Sequence, residues 1–256
     1  MAGDESWEKI FRDYNIHAHN FDEAPFRITA GQIKTACQDF TETGQKEVRI
    51  LCKQDSRENR PQVFVARDLF LLPIKNGEYV IVKGEGYVDI PPIETEQEVY
   101  VSRLDFNLDT SSVGNSEMQH LDFAYASSLV RRFMNDDSLV LTIRGRKYTP
   151  AFSFRVGAHL INVRSVQTEV DAGYEGRTRV VLVEAKNASA RNVIIRQLYY
   201  PFRQWQTHTE KQVVTLFFER AGDNYSIWHF RFSDIDDYNS IELVNSGRFR
   251  ITTTVS

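Results

Sequence analysis

Cysteine is nearly absent from this chain. Of 256 residues only Cys37 and Cys52 are cysteine, and only three are methionine. Two cysteines give no disulfide framework, no C-x-x-C pair and no zinc spacing, so the expected compartment is a reducing cytoplasm. No apolar run approaches the ~20 residues that a membrane helix needs, so no membrane partner is expected. The N-terminus, MAGDESWEKIF, is acidic where a secretory signal would be basic and then apolar. Several catalytic signatures are also missing. There is no phosphate-binding loop, no G-x-S-x-G and no Cys/His nucleophile pair, and Gly84-Glu85-Gly86 lacks the third glycine of a dinucleotide fingerprint. His17-Ala18-His19 has a ligand-like spacing, but the other histidines are scattered, so it is discounted as a metal site.

What remains is ordinary globular material with a rich aromatic content. Hydrophobic residues make up 41%, charged residues 26% and aromatics 12%. That length and composition allow one large domain or two small ones with a substantial core. The formal net charge is −4, which argues against a generic nucleic-acid coat protein. The charge is unevenly distributed. Gly84 to Ala124 carries nine acids against the single base Arg103, whereas Arg144 to Arg203 carries eleven bases and four acids. A basic stretch with embedded carboxylates suits a site that attracts a polyanion and holds a metal, although solvated faces balanced elsewhere produce the same pattern.

Periodicity and turn residues predict helices over 4–14, from Thr29 to about Phe40, from Ser116 to about Met134 and from Ser189 to about Trp205, the last kinked or ended by Pro201. Strands are predicted at Val48–Lys53, Val63–Ala66, Leu69–Ile74, Tyr79–Lys83, Ser138–Arg144, Ala151–Val156, Leu160–Asp171, Arg179–Lys186, Val213–Arg220 and Tyr225–Phe232. Arg144–Lys147 reads as a turn, and the run from Asp171 to Gly176 as a hairpin loop. A boundary near residue 110 divides a β-rich N-terminal region, 1–110, from a second domain, 111–256.

The chemistry-bearing pattern is Glu169-Val170-Asp171 followed, after twelve intervening residues, by Glu184-Ala185-Lys186. Side chains at i and i+2 of a strand share a face, so Glu184 and Lys186 point one way, as do Glu169 and Asp171 on their own strand. A hairpin across Ala172–Arg177 would lay the two strands side by side and bring carboxylates and one ammonium together. Carboxylate oxygens suit Mg²⁺, and a nearby lysine can offset charge building on phosphorus. Burying such charges at the end of an apolar strand is costly unless a metal or partners compensate. Taken alone, however, the pattern also arises from chance surface ion pairs.

In these residues, and in the helix bearing Arg196-Gln197-Leu198-Tyr199-Tyr200, the chain resembles the PD-(D/E)XK nuclease superfamily, and within it the type II restriction endonucleases. The resemblance covers roughly residues 115–235. It implies a mixed α/β fold with a restriction-endonuclease-like αβββαβ core, a central mixed sheet flanked by helices. It makes Asp171 and Glu184 ligands of Mg²⁺ together with the Ala185 carbonyl, and has Lys186 position or activate the attacking water. The reaction would be hydrolysis of double-stranded DNA at a specific sequence to leave a 5′-phosphate, by a cytoplasmic, bacterial or archaeal enzyme acting as a homodimer. Val170 stands where the family often has proline, which leaves Glu169 as an auxiliary acid. Gln197 and Glu117 are further auxiliary candidates, and Arg191, Arg196 and Arg203 are candidates for DNA phosphates. The rivals are a structure- or modification-dependent nuclease with the same site and a non-catalytic DNA-binding protein.

Overall fold

The structure is a computed structural model that describes residues 3–187 and 189–253. The N-terminal part packs α1 (Asp4–Asp13), α2 (Ala30–Ala36), α3 (Thr43–Lys46), α4 (Val48–Leu51) and α5 (Gln62–Val65) around a small antiparallel sheet. That sheet is ordered β1 (Phe26–Thr29), β3 (Glu78–Lys83), β2 (Leu69–Lys75). Thr29 caps α2 through a full capping box with Gln32. The region is mixed rather than β-rich, because two expected strands are short helices, α4 and α5. Both segments are rich in β-branched residues, but tertiary packing overrides that local preference. Leu51 is buried and its carbonyl accepts from the Trp7 indole, while the Phe64 ring sits edge-on to those of Trp7 and Phe11.

The rest of the chain is built on a seven-stranded mixed sheet. Its members are β5 (Glu98–Val101), β6 (Val140–Tyr148), β9 (Gln167–Glu175), β10 (Arg179–Lys186), β12 (Gln212–Ala221), β13 (Asn224–Phe232) and β14 (Ile241–Thr252). The strand order is β5-β14-β13-β12-β10-β9-β6, with β10–β12 and β14–β5 parallel and the other pairs antiparallel. Two small two-stranded sheets sit beside it: β4 (Tyr87–Asp89) pairs with β11 (Asn192–Ile194), and β7 (Phe152–Val156) with β8 (His159–Val163). One face carries α8 (Arg196–Gln206), and the other carries α6 (Glu117–Ala126) and α7 (Leu129–Met134). Strand β10 lies between them. Val180 and Leu182 pack toward α8, Val181, Val183 and Ala185 toward α6 and α7, and all five are buried. A nearly continuous apolar run is what a strand covered on both faces requires.

Several expectations shift here, each for a local reason. The helix expected over 116–134 breaks at Ser128, which adopts a left-handed φ of 68°. Arg144–Lys147 is not a turn but the middle of β6, where Gly145 (φ 76°) allows a bulge opposite Val170. The expected strand Leu160–Asp171 is divided into β8 and β9 by left-handed Ser165 (φ 56°). The helix expected from Ser189 begins only at Arg196, because 192–194 pairs with β4, and it runs through Pro201 to Gln206 instead of ending there. Strand β9 continues through Glu175, so the hairpin turn occupies Gly176–Thr178 and not the stretch beginning at Asp171. Strand β5 belongs to the large sheet although it lies upstream of residue 110.

The bulged crossing of β6 over β9 leaves no room at Gly173. A Cβ built there would lie 2.6 Å from Cβ of Ile143, an atom close to the backbone that cannot swing away. Gly173→Ala is therefore expected to destabilise the fold by about 1–3 kcal/mol, seen in thermal unfolding as a Tm several degrees lower. An unchanged Tm would mean the crossing is looser than described.

Candidate metal centre and its cleft

The site begins where a β-ladder stops. Strands β9 and β10 pair from Val180↔Glu175 to Val183↔Ala172, and the next rung, Asp171 opposite Glu184, is not formed. The bulge in the β6–β9 pairing falls at the same point: Ile143 faces Gly173 and Gly145 faces Val170, so two β9 residues stand against Arg144 alone. Its effect is visible in the packing, since Val170 faces the α8 side while Ala172 and Tyr174 face the α6 side. The Ala185 N–H, deprived of a backbone acceptor, donates instead to the Asp171 carboxylate at 2.8 Å. In an antiparallel ladder the N–H and C=O of one residue face the same neighbour, so the Ala185 carbonyl faces the opening that Asp171 closes.

Glu184 and Lys186 follow on the α8 face. The Lys186 ammonium donates to Glu184 Oε1 at 2.5 Å, and the amide of Gln197, the second residue of α8, donates to the same oxygen at 2.8 Å. Asp171, Glu184, Lys186, Gln197, Glu169 and Glu117 all line one cleft of about 500 Å³. Glu117 arrives from the first turn of α6, and the Asn187 N–H donates to it at 3.3 Å. Glu169 pairs with Arg146 at 3.1 Å on the outer wall. Arg196 lines the cleft and meets Asp55 at 3.5 Å, whereas Arg191 lies in an adjoining hollow. Arg203 is not brought to the site. Its guanidinium lies over the Phe152 and Tyr199 rings and donates to the Ser153 and Ile235 carbonyls and to Asp236. The buried rings of Tyr199 and Tyr200 belong to the core.

The electrostatics are those of a partly buried acidic cluster around the Lys186 ammonium. Burial pushes the Glu184 carboxyl up to about 7, with the Lys186 ammonium opposing it and the Asp171 charge adding to it. Asp171 is raised too, chiefly by burial, against the Ala185 hydrogen bond. Burial works against the Lys186 ammonium, but Glu184, Glu117 and Asp171 outweigh it and hold its pKa above the usual lysine value. By contrast, seven of the eleven bases between Arg144 and Arg203 are ion-paired: Arg144, Arg146, Arg155, Arg179, Lys186, Arg196 and Arg203. Much of that basic stretch is thus a balanced surface rather than an open field.

Among the described residues no group of three or more His, Cys, Asp or Glu side chains could by itself hold a metal ion, and His17 pairs instead with Glu8. The donor set nevertheless fits Mg²⁺, which commonly takes one or two carboxylates and completes its shell with waters and substrate phosphate oxygens. Asp171, Glu184 and the Ala185 carbonyl would be those first donors. Gln197 Oε1 is a buried acceptor with no hydrogen-bond partner at the same place. A roomier cleft of about 620 Å³ opens near Arg57 and Lys83, but those cations are neutralised at its rim by Glu85, Asp89 and Asp22.

Sequence reasoning missed Lys53 and Asp55, which line the cleft from the N-terminal part. They lie more than 110 residues from Asp171 in sequence, and no motif marks them. Residues 82–250 match the family model described as Domain of unknown function (DUF6997). The chain belongs to that family. Residues 4–81 match a second model, Domain of unknown function (DUF6996), so the two models meet at 81/82, upstream of the boundary expected near 110. No curated protein and no solved structure matches the chain.

The raised Glu184 pKa has a consequence for stability. Below about pH 4.5 the carboxyl is neutral in folded and unfolded chains alike. Between 4.5 and 7 the folded chain holds a proton that the unfolded chain has lost, so stability falls as pH rises through that window. Relative to Glu184→Gln, the metal-free protein should lose on the order of 3 kcal/mol between pH 4.5 and 8, each unit being worth about 1.4 kcal/mol. Thermal melts of both proteins across that range check the sign; a Tm gap that does not move with pH contradicts it.

Proposed function

We propose that this protein is a Mg²⁺-dependent DNA endonuclease of the restriction type, hydrolysing a phosphodiester to leave a 5′-phosphate. The observation that carries the reading is the Asp171–Ala185 hydrogen bond across the unformed rung, with Glu184 and Lys186 beside it in one cleft. The order α6/α7, β6, β9, β10, α8, β12, with the β7–β8 hairpin inserted after β6, supports an αβββαβ core of that superfamily. No helix among the described residues is long and apolar enough to cross a membrane.

Asp171, Glu184 and the Ala185 carbonyl would hold the ion. When bound, Mg²⁺ would supply a Lewis acid that lessens negative charge on the phosphate. The protein's own groups do the rest. Lys186, kept protonated by its acidic neighbours, donates toward the reacting phosphate and its water instead of acting as a base. Gln197 fixes the Glu184 carboxylate, leaving that side chain one orientation in which to receive a cation. Water oxygen bonds to phosphorus and gives up a proton to solvent, the bond from phosphorus to O3′ breaks, and the 3′-oxygen takes a proton from solvent to leave as a hydroxyl. A palindromic duplex is met most simply by a two-fold dimer of the chain.

With Mg²⁺ and phage DNA the purified protein should produce discrete fragments. Lys186→Ala and Asp171→Ala should each reduce cleavage at least about a hundredfold, the scale of losing an electrostatic or proton-transfer group. Ca²⁺ should raise the Tm of the wild type but not of Asp171→Ala. Cleavage confined to branched or methylated DNA would favour a structure- or modification-dependent enzyme, and intact DNA with no Ca²⁺ effect on Tm would leave a non-catalytic binding protein.

A further inference from the structure

The cleft at Lys186 does not end there. A second hollow of about 560 Å³ shares four lining residues with it: Lys53, Asp55, Glu117 and Lys186. The two are halves of one trough, with Lys186 and Glu117 at the junction. One half is walled by β9 and α8, the other by the chain after β10. The N-terminal segment Lys53–Asn59 borders it, and Lys53 and Asp55 stand at the join.

That segment is pinned to the catalytic part. The Ile194 N–H donates to the Asp55 carbonyl at 2.9 Å, and the Arg57 N–H donates to the buried Asn192 side chain at 2.7 Å. The Asn192 amide in turn donates to both oxygens of Glu58 at 3.0 and 3.1 Å. The pinned strand, β11, is the connection between Lys186 and α8. Asp55 stands between two cations of the trough, 3.5 Å from the Arg196 guanidinium and 3.8 Å from the Lys53 ammonium. Arg196 is largely enclosed, but the Lys53 side chain is 73% exposed. A lysine held at its base by a fixed segment, with its charge presented to a trough that already contains the reactive centre, is placed to meet an anion there.

We infer that the N-terminal part supplies Lys53 as a phosphate contact, so that the nucleic-acid strand carrying the scissile bond passes between the two parts of the chain. The inference rests on the nuclease reading for its ligand, a polyanionic backbone, and assigns to the N-terminal part a share of the substrate site. It does not require Lys53 to touch the reacting atoms.

Each phosphate neutralised by a cation adds about 0.9 to the salt slope of binding to duplex DNA and about 0.7 for a single strand. Fluorescence anisotropy with a fluorescein-labelled 30-nucleotide DNA of mixed sequence, single-stranded and as its duplex, reads this directly in Ca²⁺ across 50–200 mM NaCl. Lys53→Ala should weaken binding several-fold at the low-salt end and reduce the slope by about one contact's worth. Lys34→Ala, which removes an exposed lysine from α2 of the same N-terminal part, should change neither. Equal slopes for wild type and Lys53→Ala, equal effects of the two variants, or no DNA binding at all would each overturn the inference. A slope change specific to Lys53 in a protein that cleaves no DNA with Mg²⁺ would uphold the phosphate contact while the nuclease reading falls.

Discussion

The Ala185 N–H reaches its acceptor only because the strand beside it has moved away. Had β9 and β10 continued their ladder for one more rung, a backbone carbonyl would have taken that hydrogen and the Asp171 side chain would have been left in the sheet like any other. A buried N–H without a partner costs about 1–3 kcal/mol, so the separation of the strands demands a replacement acceptor, and Asp171 provides it at 2.8 Å. The bulge opposite Arg144, allowed by Gly145 and crowded by Ile143 against Gly173, sets where the strands part. Structure and chemistry are therefore tied at one rung, since the hydrogen bond that repairs the ladder is also the one that aims a carboxylate at the Ala185 carbonyl and Glu184.

The charge arrangement follows from that placement. Glu184 is carried into the interior at the end of the apolar run Val180–Val183, and an isolated carboxylate there would be strongly disfavoured. It is tolerated because Lys186, two residues on and on the same face, and Gln197 from α8 both donate to one of its oxygens. The arrangement still leaves three acids, Asp171, Glu184 and Glu117, close enough to Lys186 to perturb it. Once Glu184 is ionised, above about pH 7, the Lys186 ammonium faces three carboxylates, an excess of negative charge of the kind that a divalent cation would offset. Stability of the metal-free protein and affinity for an ion would thus pull against each other at Glu184.

How much of this could be read from the sequence depended on whether the signal was local. Strand β10 was legible to its last residue, because a central strand covered on both faces must be apolar and its closing Glu-x-Lys breaks that rule. Asp171 was identified as its partner, but with a misplaced hairpin: a loop across Ala172–Arg177 would set Asp171 beside Thr178, six residues or about 20 Å along β10 from Glu184. The true register carries Asp171 to Glu184 because β9 runs on through Gly173-Tyr174-Glu175, residues whose glycine and charge mimic a turn. Helices α4 and α5 were hidden by β-branched residues whose helical state is imposed by Trp7, Phe11 and Phe64. Strand β14 escaped notice since Asn245, Ser246 and Gly247 interrupt its alternation while Leu243 and Val244 are exposed. Arg203 looked like a phosphate ligand by helical spacing, but spacing does not reveal that Tyr199 and the Ile235 carbonyl already occupy it.

The least legible feature was the joining of the two parts of the chain, and physical reasons explain why. Lys53 closes a run that reads as a strand and Asp55 follows it with no motif, and their significance comes from a latch made mainly by backbone groups and one asparagine. Asn192, itself buried, spends its whole side chain on that latch, accepting from the Arg57 N–H and donating to Glu58. Such a latch resists sliding, because every donor and acceptor in it is matched to one geometry. The latch fastens onto β11, which lies in the chain between β10 and the helix bearing Gln197, so the N-terminal part is bonded to the segment that joins the two. The N-terminal part is in that sense joined to the frame of the acidic centre by contacts between residues more than a hundred positions apart in sequence.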